Sequence, residues 1–239
     1  MTTVLVASVI GTKYRNGGNA RAVLNWVHGL RKLGVQVYYV EQIASQHCVD
    51  DGGQTVPFAE SANVAYFDRV MRDAGLAETS ALICDGGPCT SGLAYGELLD
   101  VAGAADLLLN ITGHLTLSSL MRRIRRKAYL DLDPGFTQFW HAAGHDGARL
   151  DGHDVHFTIG ENIGTPECSI PAGEIRWRHT RQPAILTGDA GKGAAWAGRF
   201  TTIASWRGPY GPVQHGATTF GLKVHEFRKL IELPQRAAA

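Results

Sequence analysis

From Thr3 to Ile10 the chain is rich in Val and Ile, and the run ends at Gly11, which predicts a short buried strand opening into a loop. Beyond Asn19 the period changes. Ala20, Val23, Leu24, Val27, Leu30 and Leu33 recur three or four residues apart and form one apolar stripe on a helix, with Asn19 as its cap and Gly34 as its stop. Val35 to Val40 returns as a second strand, so the first forty residues have the length of a βαβ unit, whose crossover is expected to be right-handed.

The alternation continues. A helix is expected over residues 59–77, a strand over Ala81 to Cys84 before Asp85-Gly86-Gly87-Pro88, a helix over Gly92 to Ala102, and a strand over Ala105 to Ile111. Thr116 to Lys127 reads as a basic amphipathic helix, and Ala128 to Leu132 as a strand ended by Asp133-Pro134-Gly135. Strands and helices in this order predict an α/β fold, a Rossmann-like parallel sheet with helices on both faces. Past Gly144 the texture shifts to a polar, Gly-rich loop through Asp154, then a strand from Val155 to Ile159. Residues 164–199 show breakers and little period, Phe200 to Trp206 a strand, Gly208 to Gly216 a Gly-rich loop, and Leu222 to Leu233 a helix stopped by Pro234. The expected organisation is a Rossmann-like domain over 1–165, a connection over 166–199 and a small, incomplete α/β segment over 200–239.

Composition narrows the function classes. With 44% apolar and 19% charged residues in 239, the chain has a globular balance, and no apolar run approaches the length of a bilayer span. The start Met1-Thr2-Thr3 enters a strand directly, without the basic stretch of a signal peptide, so a cytoplasmic location is expected. Cys48, Cys84, Cys89 and Cys168 lack CxxC spacing and read as reduced thiols. A net charge of +1 gives no pull toward nucleic acid, and the basic run from Arg122 to Lys127 has no interleaved aromatics, so it reads as a solvated helix face.

Candidate chemistry collects at strand ends. The loop Gly11-Thr12-Lys13-Tyr14-Arg15-Asn16-Gly17-Gly18 leads from a strand into a helix, so its amides and the helix dipole could hold an anionic or hydroxyl-rich ligand; equally, the glycines could permit a turn and close packing. The loop is not GxGxxG, which argues against nicotinamide or flavin even though Glu41 closes the second strand where a ribose would be held. Thr112 and Gly113 are small and leave room for a ligand beside His114, whose imidazole could act as a general base on a hydroxyl, or be structural. Asp131-Leu132-Asp133 would put two carboxylates on one strand face, but Asp133 before Pro134 is a turn-former and nothing nearby completes a metal cage. His145, His153, His156 and Cys168 lack metal-ligand spacing. Gly188 to Gly193 lacks the phosphate-loop pattern, since residue 186 is Leu and Gly193 follows Lys192.

Together, Asn16-Gly17-Gly18-Asn19, Leu130-Asp131-Leu132-Asp133-Pro134-Gly135-Phe136-Thr137-Gln138, Gly160-Glu161-Asn162-Ile163-Gly164 and Lys223-Val224-His225-Glu226-Phe227 before Leu233-Pro234 resemble bacterial glycosyltransferases of the GT-B type. The resemblance implies transfer of a sugar from a nucleotide-sugar to a small acceptor hydroxyl; from the residues themselves, no metal and no bound cofactor are expected. It implies acceptor binding by Asn16, Gly17, Gly18, Thr112, Gly113 and Glu161, with His114 or Asp133 as base, and donor binding by Arg207, Gly208, Gly211 and Lys223. Members of that family usually continue well past the position of Pro234, so the donor part is expected to be incomplete. An alternative on the same fold is a non-catalytic or partner-dependent ligand-binding module. A strand edge left open would favour a homodimer.

Overall fold

The computed structural model describes residues 1–185 and 211–236, in two compact units, Met1–Ile185 and Leu186–Ala239. The first unit follows the expected alternation: β1 (Thr3–Ala7), α1 (Gly17–Lys32), β2 (Gln36–Ile43), α2 (Ala62–Asp73), β3 (Ser80–Cys84), β4 (Thr90–Gly92), α3 (Tyr95–Ala104), β5 (Leu107–Ile111), α4 (Ser118–Met121), β6 (Lys127–Asp131), α5 (Phe136–Ala142), β7 (Val155–Thr158) and β8 (Trp177–His179). They build one eight-stranded sheet in the order β4-β3-β2-β1-β5-β6-β7-β8. Every pairing is parallel except β3 with β4. The chain moves outward in one direction from β1 to β3 and then returns to lay β5 against the other side of β1. That reversal is a topological switch point, where α/β sheets open a crevice at their carboxyl ends.

The central strands are apolar on both faces because both faces are covered. On one side Val4 and Val6 of β1 pack with Ala20, Val23 and Val27 of α1 and Phe67 and Met71 of α2. On the other, Leu5 and Ala7 pack with Leu98 and Ala102 of α3 and with Leu120 of α4. A fully buried Leu or Val in such a layer contributes about 2 kcal/mol relative to an exposed one. A third cluster, Tyr129, Ala148, Leu150, Ile163 and Trp177, fastens the β6–β8 end of the sheet.

Several features of the first unit differ from the sequence reading. Asn16, not Asn19, caps α1, its side chain accepting from the Asn19 amide at 3.0 Å, while the Asn19 side chain reaches back to the Val9 carbonyl at 2.6 Å. The helix expected from Thr116 to Lys127 is confined to α4; Arg122, Arg123, Arg125 and Arg126 crowd like charges at helical spacings, and the chain must be extended by Lys127 to enter β6. α5 starts directly after Asp133-Pro134-Gly135, a turn whose residue types indicate only a stop. Residues 166–185, expected as connection, belong to the first unit, where β8 pairs with β7 and Gln182 bonds the Ala22 carbonyl of α1 at 2.8 Å.

In the second unit β9 (Val213–His215) and β10 (Thr218–Phe220) form an antiparallel hairpin turning at Gly216, with φ of +58°, followed by α6 (Lys223–Lys229) and α7 (Leu233–Arg236). The Gly-rich loop expected up to Gly216 thus contains the first strand of this hairpin. Pro234 stands in the first turn of α7, where its missing N–H would have no helical partner, and so does not end the helix begun at Lys223. The expected strand Phe200 to Trp206, the glycine run from Gly188 to Gly193, and the candidate donor residues Arg207 and Gly208 lie outside the described residues.

Candidate functional site

The loop after β1 is organised by one carboxylate. Glu41, on β2, is 1% exposed and accepts from the amides of Ile10 and Gly11 at 2.7 and 2.8 Å through Oε2, and from the amide and hydroxyl of Thr12 at 2.7 and 2.6 Å through Oε1. Burial raises its pKa, and these four donors pull it back down. The candidate ligand donors at Gly11 and Thr12 are therefore occupied internally, as is the carboxylate that a dinucleotide fold would give to a ribose. What stays open is the start of α1. Gly17 and Gly18 are exposed, and a Cβ at Gly17 would meet nothing within 4 Å. Neither glycine is needed for a tight turn or for close packing. Asn16 is also exposed, with its side-chain oxygen engaged as the cap.

Beyond β5, Thr112 and Gly113 both adopt positive φ, +52° and +63°. A Cβ at Gly113 would lie 2.7 Å from Cβ of Arg149, 2.8 Å from its carbonyl oxygen and 3.0 Å from the Tyr129 ring. The space expected for a ligand there is filled by the protein. Its consequence is to bring Arg149, itself at φ +51°, against His114, with Nη1 3.3 Å from Nδ1. A guanidinium can only donate, so Nδ1 accepts and neutral His114 carries its proton on Nε2. Desolvation, with Arg149 and then Lys13 adding positive charge, pushes the His114 pKa down to about 3. At neutral pH this imidazole offers an N–H and is a poor base.

Asp131 and Asp133 part company. Asp131 is fully buried and accepts from Thr137, Gln138, Thr158 and the Asp133 amide at 2.7, 2.8, 2.8 and 2.9 Å, tying α5 and β7 to the end of β6. Its oxygens are spent on structure. Asp133 is exposed at the strand end; desolvation by its surroundings raises its pKa, Lys13 opposes that, and Asp131 adds to it. Lys13 adds positive charge to the surroundings of both His114 and Asp133, and the three residues follow β1, β5 and β6, which are adjacent in the sheet. Among the described residues no group of three His, Cys, Asp or Glu could hold a metal ion.

Glu161 is not part of this gathering. It comes after β7, two strands from β5 in the sheet, and pairs with Arg181 at 2.6 Å. Gly211 and Lys223 belong to the second unit, Gly211 exposed ahead of the hairpin and Lys223 opening α6. Cys48, Cys84 and Cys89 are all free, and burial pushes the Cys84 thiol up to about 11.

Sequence reasoning passes over Lys13, Asn110 and Arg149. Asn110 is wholly buried, exchanging bonds with the Leu115 carbonyl and amide at 2.9 and 3.0 Å and meeting His153 Nε2 at 3.0 Å. Its signal is that of a lone amide in an apolar strand, since a buried amide must find partners. Arg149 gives no local signal, its place depending on a long-range contact with Gly113. No helix among the described residues is long and apolar enough to cross a membrane. The chain matches no protein-family model and no curated protein at a significant level.

Proposed function

We propose that the protein is glycosyltransferase-like and moves a sugar from a nucleotide-sugar to the hydroxyl of a small acceptor held over the ends of β1, β5 and β6. The observation that carries this reading is that Lys13, His114 and Asp133 follow the carboxyl ends of the adjacent strands β1, β5 and β6, with Arg149 against His114, beside the switch point of a doubly wound sheet. Asp133 is the base: its raised pKa makes it a better proton acceptor than an ordinary aspartate, and it remains exposed to a ligand. His114 serves as donor through Nε2, not as the base. The acceptor hydroxyl gives its proton to Asp133 while its oxygen bonds the anomeric carbon; the bond from that carbon to the diphosphate oxygen breaks, and the nucleoside diphosphate leaves with the electron pair. The open amides of Gly17 and Gly18 offer further donors to the acceptor. Donor binding by Gly211 and Lys223, with Arg207 and Gly208, completes the proposal on the strength of the resemblance.

The test is turnover of uridine, thymidine and guanosine diphosphate sugars by the full chain. Asp133→Asn is expected to lower kcat by about 100-fold or more, the usual scale for losing a general base. His114→Ala is expected to weaken transfer by about 10-fold, and the pH profile should show no inflection from His114 near neutrality. Unchanged turnover in both variants would overturn the assignment. Absence of both turnover and donor-binding heat would favour the partner-dependent binding module.

A further inference from the structure

Beside this crevice, on the face covered by α3 and α4, a cavity of about 310 Å³ opens between the loop after β5 and residues 149–153. Leu115 and Met121 give it an apolar wall, and Arg122, Arg149 and Ser118 line it with donors. Among the described residues neither arginine has a carboxylate within ion-pair distance. The single acidic wall residue, Asp151, pairs with neither and is outnumbered by them.

The arginines are positioned differently. Arg122 Nη2 lies 3.5 Å from the Ser118 hydroxyl, within the same short helical turn. Arg149 is held in the left-handed region at φ +51° and ψ +38°, its Cβ seated against a glycine that tolerates no side chain. Non-glycine residues keep such a conformation only when their surroundings enforce it. Beneath, Asn110 and His153 brace the floor, and His153 has both ring nitrogens engaged, with Asn110 at 3.0 Å and the Leu150 carbonyl at 3.0 Å. Floor polar groups are thus satisfied within the protein, while the guanidiniums of the wall have only neutral partners, His114 Nδ1 and the Ser118 hydroxyl, and no carboxylate among the described residues.

We propose that this cavity binds the oxyanion of a small organic ligand, a phosphate ester or a carboxylate, between the Arg149 and Arg122 guanidiniums, with the ligand's apolar body against Leu115 and Met121. Planar guanidinium forks match either oxyanion with paired hydrogen bonds, and the volume accommodates a ring-sized body. The inference goes beyond sugar transfer and needs no sugar donor.

Calorimetry of the full chain with phenyl phosphate, benzoate and phenol at constant ionic strength tests it. Saturable binding at millimolar or lower concentration is expected for at least one of the two anions and not for phenol; whichever anion binds tighter identifies the headgroup. Arg149→Asn, which keeps a residue tolerant of positive φ, and Arg122→Gln should each weaken binding by about 10-fold, while Arg69→Gln on α2 should leave it unchanged. Circular dichroism checks folding, and Arg122→Gln stands alone should the Arg149 variant unfold. The proposal is overturned by no saturable heat with either anion, by equal binding of phenol, by folded arginine-wall variants that bind as the parent does, or by an equal loss in Arg69→Gln, which would mean diffuse charge attraction.

Discussion

At the scale of single residues, the fold places two carboxylates where they organise backbone instead of meeting ligands. Glu41 gathers three consecutive amides and a hydroxyl after β1, and Asp131 gathers two hydroxyls, an amide side chain and a backbone N–H after β6. Replacing Glu41 by Gln retains one acceptor oxygen but turns an NH₂ toward the other donors, so Glu41→Gln is expected to cost about 2–3 kcal/mol in urea unfolding at neutral pH. The pH dependence has a definite sign. Because burial raises the folded carboxyl above its ordinary 4.5, the unfolded chain ionises first, and stability from this group is fullest below that value and declines as pH rises through the folded pKa. The margin of the parent over Glu41→Gln should therefore shrink as pH rises from about 4 and then level off; a margin that widens over that range would contradict the raised pKa. Neither carboxylate's role is legible from its neighbours in sequence. Glu41 stands at a strand end and Asp131 in an Asp-x-Asp run, and only the approach of another loop decides what each binds. Asp133 and His114 are legible as strand-end residues, because the first residues past a buried parallel strand emerge at the carboxyl edge of the sheet whatever the tertiary details.

At the scale of elements, periodicity suffices wherever an element packs its own apolar stripe. α1 and α2 each bury a row at three- and four-residue spacing, and Val4 to Ala7 of β1 and Ala81 to Cys84 of β3 are continuous apolar runs. It fails where length or partners decide. α4 and α5 have four and seven residues, too few for a stripe, and β8 has three residues whose pairing with β7 depends on the loop that precedes it. The loop after β5 belongs to the same class: Thr112 and Gly113 look like space for a ligand in sequence, yet positive φ angles turn the chain so that Arg149 packs on the glycine. Gly113→Ala combines a disfavoured φ of +63° with contacts of 2.7 and 2.8 Å to Arg149, one of them to backbone. It should destabilise the protein by about 2–3 kcal/mol in denaturant unfolding. A loss below about 0.5 kcal/mol would show that the loop relaxes freely.

At the scale of the whole molecule, the sheet order comes from the chain's alternation and one reversal of direction, and that reversal puts the loops after β1 and β5 side by side. All eight strands of the main sheet and all three apolar clusters lie within Met1–Ile185. Its last residues return to α1: Gln182 accepts from the Trp26 indole at 3.2 Å and donates to the Ala22 carbonyl, and Pro183 and Ile185 come against Gly29. A chain cut after Ile185 therefore loses no strand of the main sheet and none of its clusters. By contrast, a cut at 165, where composition alone would place the boundary, removes β8 and Trp177, which packs on Tyr129 and bonds the Ala172 carbonyl at 3.0 Å. Residues 1–185 expressed alone are expected to melt cooperatively, with near-ultraviolet dichroism typical of packed aromatics, whereas residues 1–165 should melt earlier and more broadly. Indistinguishable melting of the two fragments would mean that β8 contributes little. A non-cooperative, dye-binding 1–185 fragment would mean that the first unit depends on the second for its packing.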